Sequence, residues 1–297
     1  MKVTGLEKER VCDFVAYCKK HRKELDDSYL YDSDLEEFEV TLENPTYVLI
    51  NEQEEIIGAA SFVLDDYHKR GKRARFRIFH SEMENIQFYQ EMLQALLTHT
   101  TDLEKIFIFI PVTNKKLIEM IEGLKFSVER FSFLLVREDL EVPHVHLPDG
   151  YELRAFRPGE DEENWRQVRN AAFATLKGSE TPITIEGVAE LLTHQDYLEG
   201  GMMLLFHQGN PVGVIRGADD EYEDAPIMNI GPVAILPAYQ GSGLGRILLR
   251  AALEFAKESG YRRTILSVNG ENERAKALYI QEGFKQVEAV ACYHYFV

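Results

Sequence analysis

Ile230-Gly231-Pro232-Val233-Ala234-Ile235-Leu236-Pro237-Ala238-Tyr239-Gln240-Gly241-Ser242-Gly243-Leu244-Gly245-Arg246 is the stretch from which the rest of the chain can be read. Its apolar first half has the character of a strand ended by Pro237. From Leu244 the apolar residues fall at helical spacing, with Leu244, Leu248, Ala251 and Phe255 on one face and Gly260 past the end, which predicts a helix over 244–259. Between them, glycines at 241, 243 and 245 let the backbone turn sharply and approach a ligand with no Cβ atoms in the way. Amides converging on a helix start, with the helix dipole behind them, favour an anion, and a pyrophosphate is the natural occupant. Arg246 can add a charge-assisted contact. The same pattern equally suits a tight structural turn.

Three familiar phosphate loops can be tested against this stretch. A Walker loop requires Gly-Lys-Ser/Thr, but Gly245 is followed by Arg246 and Ile247. The dinucleotide fingerprint, aligned on Gly241 and Gly243, requires glycine at 246, and the loop lies late in its domain, not after a first strand. The lysine and catalytic signatures of a kinase are missing.

Outward from the loop, the C-terminal half alternates strand and helix signals. Strands are expected at 151–156, 202–207, 212–217, 227–236 and 264–268, and helices at 161–176, 184–194 and 273–282. Val287 to Val297 is expected to close the same sheet. Residues 138–150, with Pro143, Pro148 and a Pro-Asp-Gly turn, read as a linker near the midpoint, with His144 and His146 exposed on it. The N-terminal half repeats this grammar, with helices expected at 7–23 and 32–43. Gly58 aligns with Gly213 and Asp65 with Asp220 at an offset of 155; Asn114–Glu122 parallels Asn272–Ile280 at 158, and Phe126 matches Phe284. These pairs indicate a diverged internal duplication.

The 297 residues are 45% apolar and 28% charged, an ordinary globular composition of about two domains' length. No apolar run is long enough to span a bilayer, and the start lacks the apolar core of a secretory signal. Three cysteines, an odd number, point to free thiols in a reducing cytoplasm. Cys12, Cys18 and His21 match no zinc spacing, and no metal site is expected. The 33 basic residues against 50 acidic ones give a net charge of −17, a field that repels nucleic acid. The local exception, Lys69 to Arg77, reads as a solvated hairpin between two strands ahead of an anion site.

The glycine stretch resembles the hallmark of the GNAT acetyltransferase superfamily. There a strand ending in Val-x-Pro is followed by Gln/Arg-Gly-x-Gly-x-Gly/Ala opening a helix, here Ile235-Leu236-Pro237 and Gln240 to Gly245. A second family motif, an Asn-led helix ending in Gly-Phe, reads here Asn272-Glu273-Arg274-Ala275-Lys276-Ala277-Leu278-Tyr279 and then Gly283-Phe284. The resemblance is strong over 150–297 and reaches 1–140 only through the repeat. It implies an α/β fold of two tandem GNAT-like domains, each a mixed, mostly antiparallel twisted sheet flanked by helices, like the mycothiol synthase-like proteins. The expected division is a degenerate domain over 1–140, a linker over 141–150 and a catalytic domain over 151–297.

What the resemblance implies for the site is specific. Acetyl-CoA would lay its pyrophosphate on Gln240, Gly241, Ser242, Gly243, Leu244, Gly245 and Arg246, and its pantetheine arm along Val233, Ala234 and Ile235. Asn272, Ala275, Lys276 and Tyr279 share one face of their helix and would border the cofactor. The Ile235 amide would serve as oxyanion donor and Tyr279 as general acid to the CoA thiolate. The glutamate that family members often carry on the fourth strand aligns with Asn229, so the base moves elsewhere; Asp219, Asp220, Glu221, Glu223 and Asp224 are the candidates. In the N-terminal half the loop becomes Asn85-Ile86-Gln87-Phe88-Tyr89-Gln90 and Tyr279 maps onto Ile121, so no CoA is expected there. The activity implied is acetyl transfer to a small-molecule amine by direct attack in a ternary complex, in a monomer or homodimer without nucleic-acid or membrane partners. The other reading is a CoA-binding sensor or partner-recruiting module that has lost its chemistry.

Overall fold

The computed structural model describes residues 1–139, 141–144 and 146–297. Leu140 and Val145, which the linker reading includes, lie outside the described residues. The chain forms two compact units, Met1–Ser132 with Ala289–Val297, and Phe133–Glu288.

The first unit contains β1 (Lys2–Gly5), α1 (Val11–His21), α2 (Asp32–Glu36), β2 (Thr46–Ile50), β3 (Ile56–Val63), α3 (Asp66–Arg70), β4 (Arg73–Ser81), α4 (Ile86–Leu97), β5 (Lys105–Pro111), α5 (Lys115–Gly123) and the start of β6 (Ser127–Arg137). The second contains the rest of β6, then β7 (Tyr151–Ala155), α6 (Glu162–Phe173), α7 (Ile185–Glu190), β8 (Tyr197–His207), β9 (Asn210–Tyr222), β10 (Ala225–Ile235), α8 (Leu244–Glu258), β11 (Thr264–Asn269), α9 (Glu273–Gln281) and the start of β12 (Lys285–Phe296). No helix among the described residues is long and apolar enough to cross a membrane.

The strand order of the first unit is β1-β2-β3-β4-β5-β12, parallel only at β4–β5. That of the second is β6-β11-β10-β9-β8-β7, with β10–β11 parallel and β10–β9, β9–β8 and β8–β7 antiparallel. Each sheet is apolar on both faces. In the first unit Phe14 and Leu35 of α1 and α2 pack with Ala59 and Ile78, while Met92 and Leu96 of α4 and Ile121 of α5 pack with Ala60 and Phe62. In the second, Trp165 of α6 and Val188 of α7 cover Leu204, Val214 and Ala234, and Leu248, Leu253 and Tyr279 of α8 and α9 cover Ile215, Met228 and Ile230. Each large side chain so buried contributes about 1.5–3 kcal/mol.

Two expectations need correcting. The last strand does not simply close the C-terminal sheet: from Ala289 it belongs to the first unit and pairs with β5 at Ala291↔Ile110 and Cys292↔Phe109. The second unit in turn takes Phe133–Arg137. Arg137 Nε donates to the Glu282 carbonyl at 2.7 Å, which fixes that strand end well before the proline-rich segment at 141–150. Alternation tells which face a residue occupies but not which strand lies beside it. The basic run is not a solvated hairpin either. Lys69 and Arg70 end α3, whereas Arg73, Arg75 and Arg77 occupy one face of β4 and are largely buried. Their guanidinium groups lie over aromatic rings, Arg75 at 4.7 Å from Tyr29 and Arg77 at 5.2 Å from Phe38, and Arg75 pairs with Asp26.

Asp161, 1% exposed just before α6, accepts hydrogen bonds from both terminal nitrogens of Arg154 at 2.6 and 2.9 Å and from the Arg157 amide at 2.9 Å. The Arg154 contact above all lowers its carboxyl to about 2. A depressed carboxyl pKa stabilises the fold fully above the unfolded value near 3.8, and that contribution is lost as pH falls through about 2. It is worth about 2 kcal/mol at neutral pH. Urea titrations of wild type and Asp161→Asn should therefore differ by at least that amount at pH 7 and converge between pH 4 and pH 2; a constant gap would remove the linkage.

Candidate active site

Beyond Ile235 the chain makes a 3₁₀ turn over Pro237–Tyr239, which engages the Gln240 amide on the Pro237 carbonyl at 3.3 Å. Gly241 at φ +81° and Gly243 at φ +88° are left-handed, a region glycine enters without steric cost. α8 starts at Leu244, and Gly243, its N-cap, has no side chain with which to cap it. The Arg246 amide turns back to the Gly243 carbonyl at 3.0 Å. Between these two engaged positions, the amides of Gly241, Ser242, Gly243, Leu244 and Gly245 find no protein acceptor among the described residues. Five free donors thus gather at the positive end of a 15-residue helix.

β10 supplies the second part of the site. Its parallel register with β11 is confined to Met228↔Thr264 and Asn229↔Ile265. A register shift then follows between Ile230 and Val233, around a cis Gly231–Pro232 peptide, and Val233↔Ile215, Ala234↔Val214 and Ile235↔Gly213 continue the pairing on the β9 side only. Proline costs the ladder little where the neighbouring strand has already parted. Since the Leu236 amide donates to Val212, strand alternation turns the amides of Val233 and Ile235 away from β9, toward the side β11 has left. Gln240 Nε2 reaches back to the Ile235 carbonyl at 3.0 Å and braces loop against strand.

α9 borders the loop. A Cβ built on Gly241 would lie 3.5 Å from Arg274 Nη2, and one on Gly245 3.7 Å from Leu278 Cδ2. Asn272 caps α9 by accepting from the Ala275 amide at 3.1 Å, and its side-chain NH2 remains a donor. Lys276 turns elsewhere, its ammonium 3.7 Å above the Phe133 ring and bonded to Gln286. Arg246 likewise leaves the loop for Gln281 and the buried Glu282, which Arg250 also grips. Tyr279 is 8% exposed, in one cluster with Ile235 and Leu244, and its hydroxyl makes no hydrogen bond to the described residues. Burial raises it to about 12, so it stays protonated at neutral pH.

The acetyltransferase (GNAT) family model matches residues 165–284, a span that contains α6, the split strand, the glycine loop and α9. Residues 165–284 belong to the GNAT family. The chain is 31% identical over 175 residues to a mycothiol acetyltransferase of Amycolatopsis mediterranei (strain U-32), covering 56% of this chain and 58% of that one. It is 29% identical over 171 residues to one from Arthrobacter sp. (strain FB24), covering 56% and 52%. The chain thus spans a little over half the length of these relatives. A GCN5-related N-acetyltransferase from Sphaerobacter thermophilus superposes with a TM-score of 0.73 over 99% of this chain and 95% of its own, at 16% identity. A tandem GNAT protein from the clavulanic acid biosynthesis pathway gives 0.70 over 99% and 98%, at 13% identity. The whole chain therefore has the tandem GNAT fold.

The GNAT frame makes the two units comparable. Asn114 caps α5 as Asn272 caps α9, and Phe126 and Phe284 are both buried, the arrangement the repeat implied. At the starts of α4 and α8 they differ. Asn85 closes α4 with its own side chain, accepting from the Gln87 amide at 3.0 Å, whereas the N-terminus of α8 is left open. One group escaped the sequence reading. Arg274 was quoted only as a motif letter, although helix position 2 places it against Gly241. Of the five acids considered as base, the structure separates Asp220, which accepts from Asn229 Nδ2 at 2.8 Å. Asp219 takes the Tyr261 hydroxyl, and Glu223 pairs with Arg263.

Proposed function

We propose that the second unit is an acetyl-CoA-dependent N-acetyltransferase that acylates a small-molecule amine by direct attack within a ternary complex. The observation that carries this reading is the pairing of an uncapped helix start, five unengaged amides, with two strand amides turned into a gap of the sheet. The first would hold the CoA pyrophosphate, with Arg274 beside it; the second would line the pantetheine and thioester. The relatives named mycothiol acetyltransferases support acetyl as the group transferred.

In this scheme the amine nitrogen attacks the thioester carbonyl, the developing oxyanion takes a hydrogen bond from the Ile235 amide, and the carbon–sulfur bond breaks. Tyr279 donates to the departing sulfur. Burial makes its hydroxyl a weak acid, so it acts by stabilising the thiolate as charge appears. Asp220 takes the proton that the amine must lose. Its position on β9 shares a face with Asn229 through the antiparallel register, just where β10 and β11 part. Burial pushes its carboxyl above the usual carboxylate range, which makes it a better base than an exposed acid. A covalent acyl-enzyme has no support: burial raises the Cys292 thiol to about 12, and that residue lies in the other unit.

A thiol-release assay with acetyl-CoA across polyamines, aminoglycosides and amino-acid derivatives tests the proposal. The sensor reading, which Asn229 at the glutamate position favours, predicts CoA binding without turnover of any amine. With an accepted amine, Asp220→Asn should lower kcat by about a hundredfold or more while leaving CoA affinity in place. The wild-type rate should rise with pH through the elevated Asp220 value; an unchanged profile in Asp220→Asn would assign the base elsewhere.

A further inference from the structure

We propose that the first unit carries a site for one divalent transition-metal ion of the zinc class, formed by His21, Glu24 and His80. His21 ends α1, Glu24 ends the 3₁₀ turn that follows it, and His80 is the penultimate residue of β4. One ligand atom from each lies within 4.8 Å of the other two. His21 Nδ1 is 3.2 Å from Glu24 Oε1, His80 Nε2 is 4.0 Å from Glu24 Oε2, and the two imidazole centroids are 4.4 Å apart.

The outer nitrogen of each ring is held by a second residue. His21 Nε2 meets Glu82 Oε1 at 3.0 Å, and a carboxylate only accepts, so that nitrogen carries a hydrogen. His80 Nδ1 meets the Tyr17 hydroxyl at 2.7 Å, and that hydroxyl also reaches the Ile57 carbonyl at 3.3 Å. In the tautomer that donates Nδ1–H to the tyrosine oxygen, His80 turns Nε2 toward Glu24 as a lone pair. His21 Nδ1 lies within hydrogen-bond distance of Glu24 Oε1, and His80 Nε2 faces Glu24 Oε2. A divalent cation would take the place of the hydrogen shared by His21 Nδ1 and Glu24 and draw both imidazoles and the carboxylate onto one centre. A ring nitrogen on the metal with its partner nitrogen hydrogen-bonded to a carboxylate or other acceptor is how metal-binding histidines are generally oriented.

Two imidazoles and one carboxylate suit zinc, cobalt or nickel better than calcium or magnesium. Both histidines are buried while Glu24 is exposed, which leaves an entry path and room for water as a fourth ligand. Ligand atoms must draw together by about 1 Å to reach ordinary zinc distances, and Glu24, on a short exposed turn, can do so. The ion would fasten the end of α1 to β4. Cys12 and Cys18 take no part: Cys12 is exposed and Cys18 is packed with Phe14.

Full-length chain stripped with EDTA and titrated with cobalt(II) chloride should take up one equivalent with the visible absorption of a four-coordinate ion, displaced by zinc(II). Glu24→Gln, a change at an exposed position, should weaken cobalt affinity at least tenfold, and His80→Gln should abolish the absorption. His144→Ala, on an exposed segment distant in sequence, should leave both unchanged. If wild type takes up no cobalt, or if Glu24→Gln binds it as well as wild type does, the site is wrong. Glu24→Gln decides the matter even should His80→Gln fail to fold.

Discussion

Tyr279→Phe lowers turnover by at least about tenfold, and by as much as about a thousandfold if stabilising the departing thiolate limits the rate, while acetyl-CoA affinity stays within about twofold. The substitution removes one oxygen and leaves the ring among Ile235, Leu244 and Phe284, so the core keeps its packing. Because the hydroxyl bonds to none of the described residues, its loss leaves no buried partner unsatisfied. A stability change should therefore be small, which separates this variant from one that merely unfolds. Steady-state kinetics with an accepted amine, beside calorimetric CoA binding, reads both quantities. A leaving group that needs no assistance, such as an activated aryl thioester, should restore most of the lost rate. Equal turnover by wild type and variant with acetyl-CoA would take Tyr279 out of the mechanism.

The glycine loop and the helices beside it were legible because each is written locally. A glycine at φ +88°, an apolar face repeating every three or four residues, and an asparagine three residues ahead of the amide it caps all act within one or two turns of chain. The repeat was legible for the same reason: Asn114 and Asn272 are caps, and a cap has a fixed place in its helix. What escaped depends on pairing across long distances. Val287 to Val297 alternates well enough to be recognised as a strand, yet nothing in its residues names β5 as its neighbour. Arg73, Arg75 and Arg77 looked like a solvated run because their charges were counted without the rings of Tyr29, Phe38 and Phe107, which come from other elements. His21 was weighed against nearby cysteines, while its structural partner, His80, lies 4.4 Å away across the fold and 59 residues along the chain.

Gly243→Asp should abolish CoA binding, raising its dissociation constant by a hundredfold or more, without unfolding the second unit. Gly243 occupies the N-cap of α8, and a Cβ there meets no atom within 4 Å, so the new side chain enters the space over the free amides. An aspartate at an N-cap accepts from the amides two or three residues on, as the Asn85 side chain does at α4. It would thus occupy the donors proposed to hold phosphate and place a negative charge against a second one. The left-handed backbone costs a non-glycine residue roughly 1 kcal/mol, and the cap returns about as much, so the melting temperature should move by no more than a few degrees. Gly243→Ala carries the backbone strain without the cap or the charge. It should lose some stability yet keep most of its CoA affinity, which isolates the occupied amides as the cause. Wild type should bind one CoA per chain, because Asn85 already imposes on the first unit what the aspartate would impose on the second. Two CoA molecules per wild-type chain, or full affinity in Gly243→Asp, would mean that the phosphates rest somewhere other than on this helix.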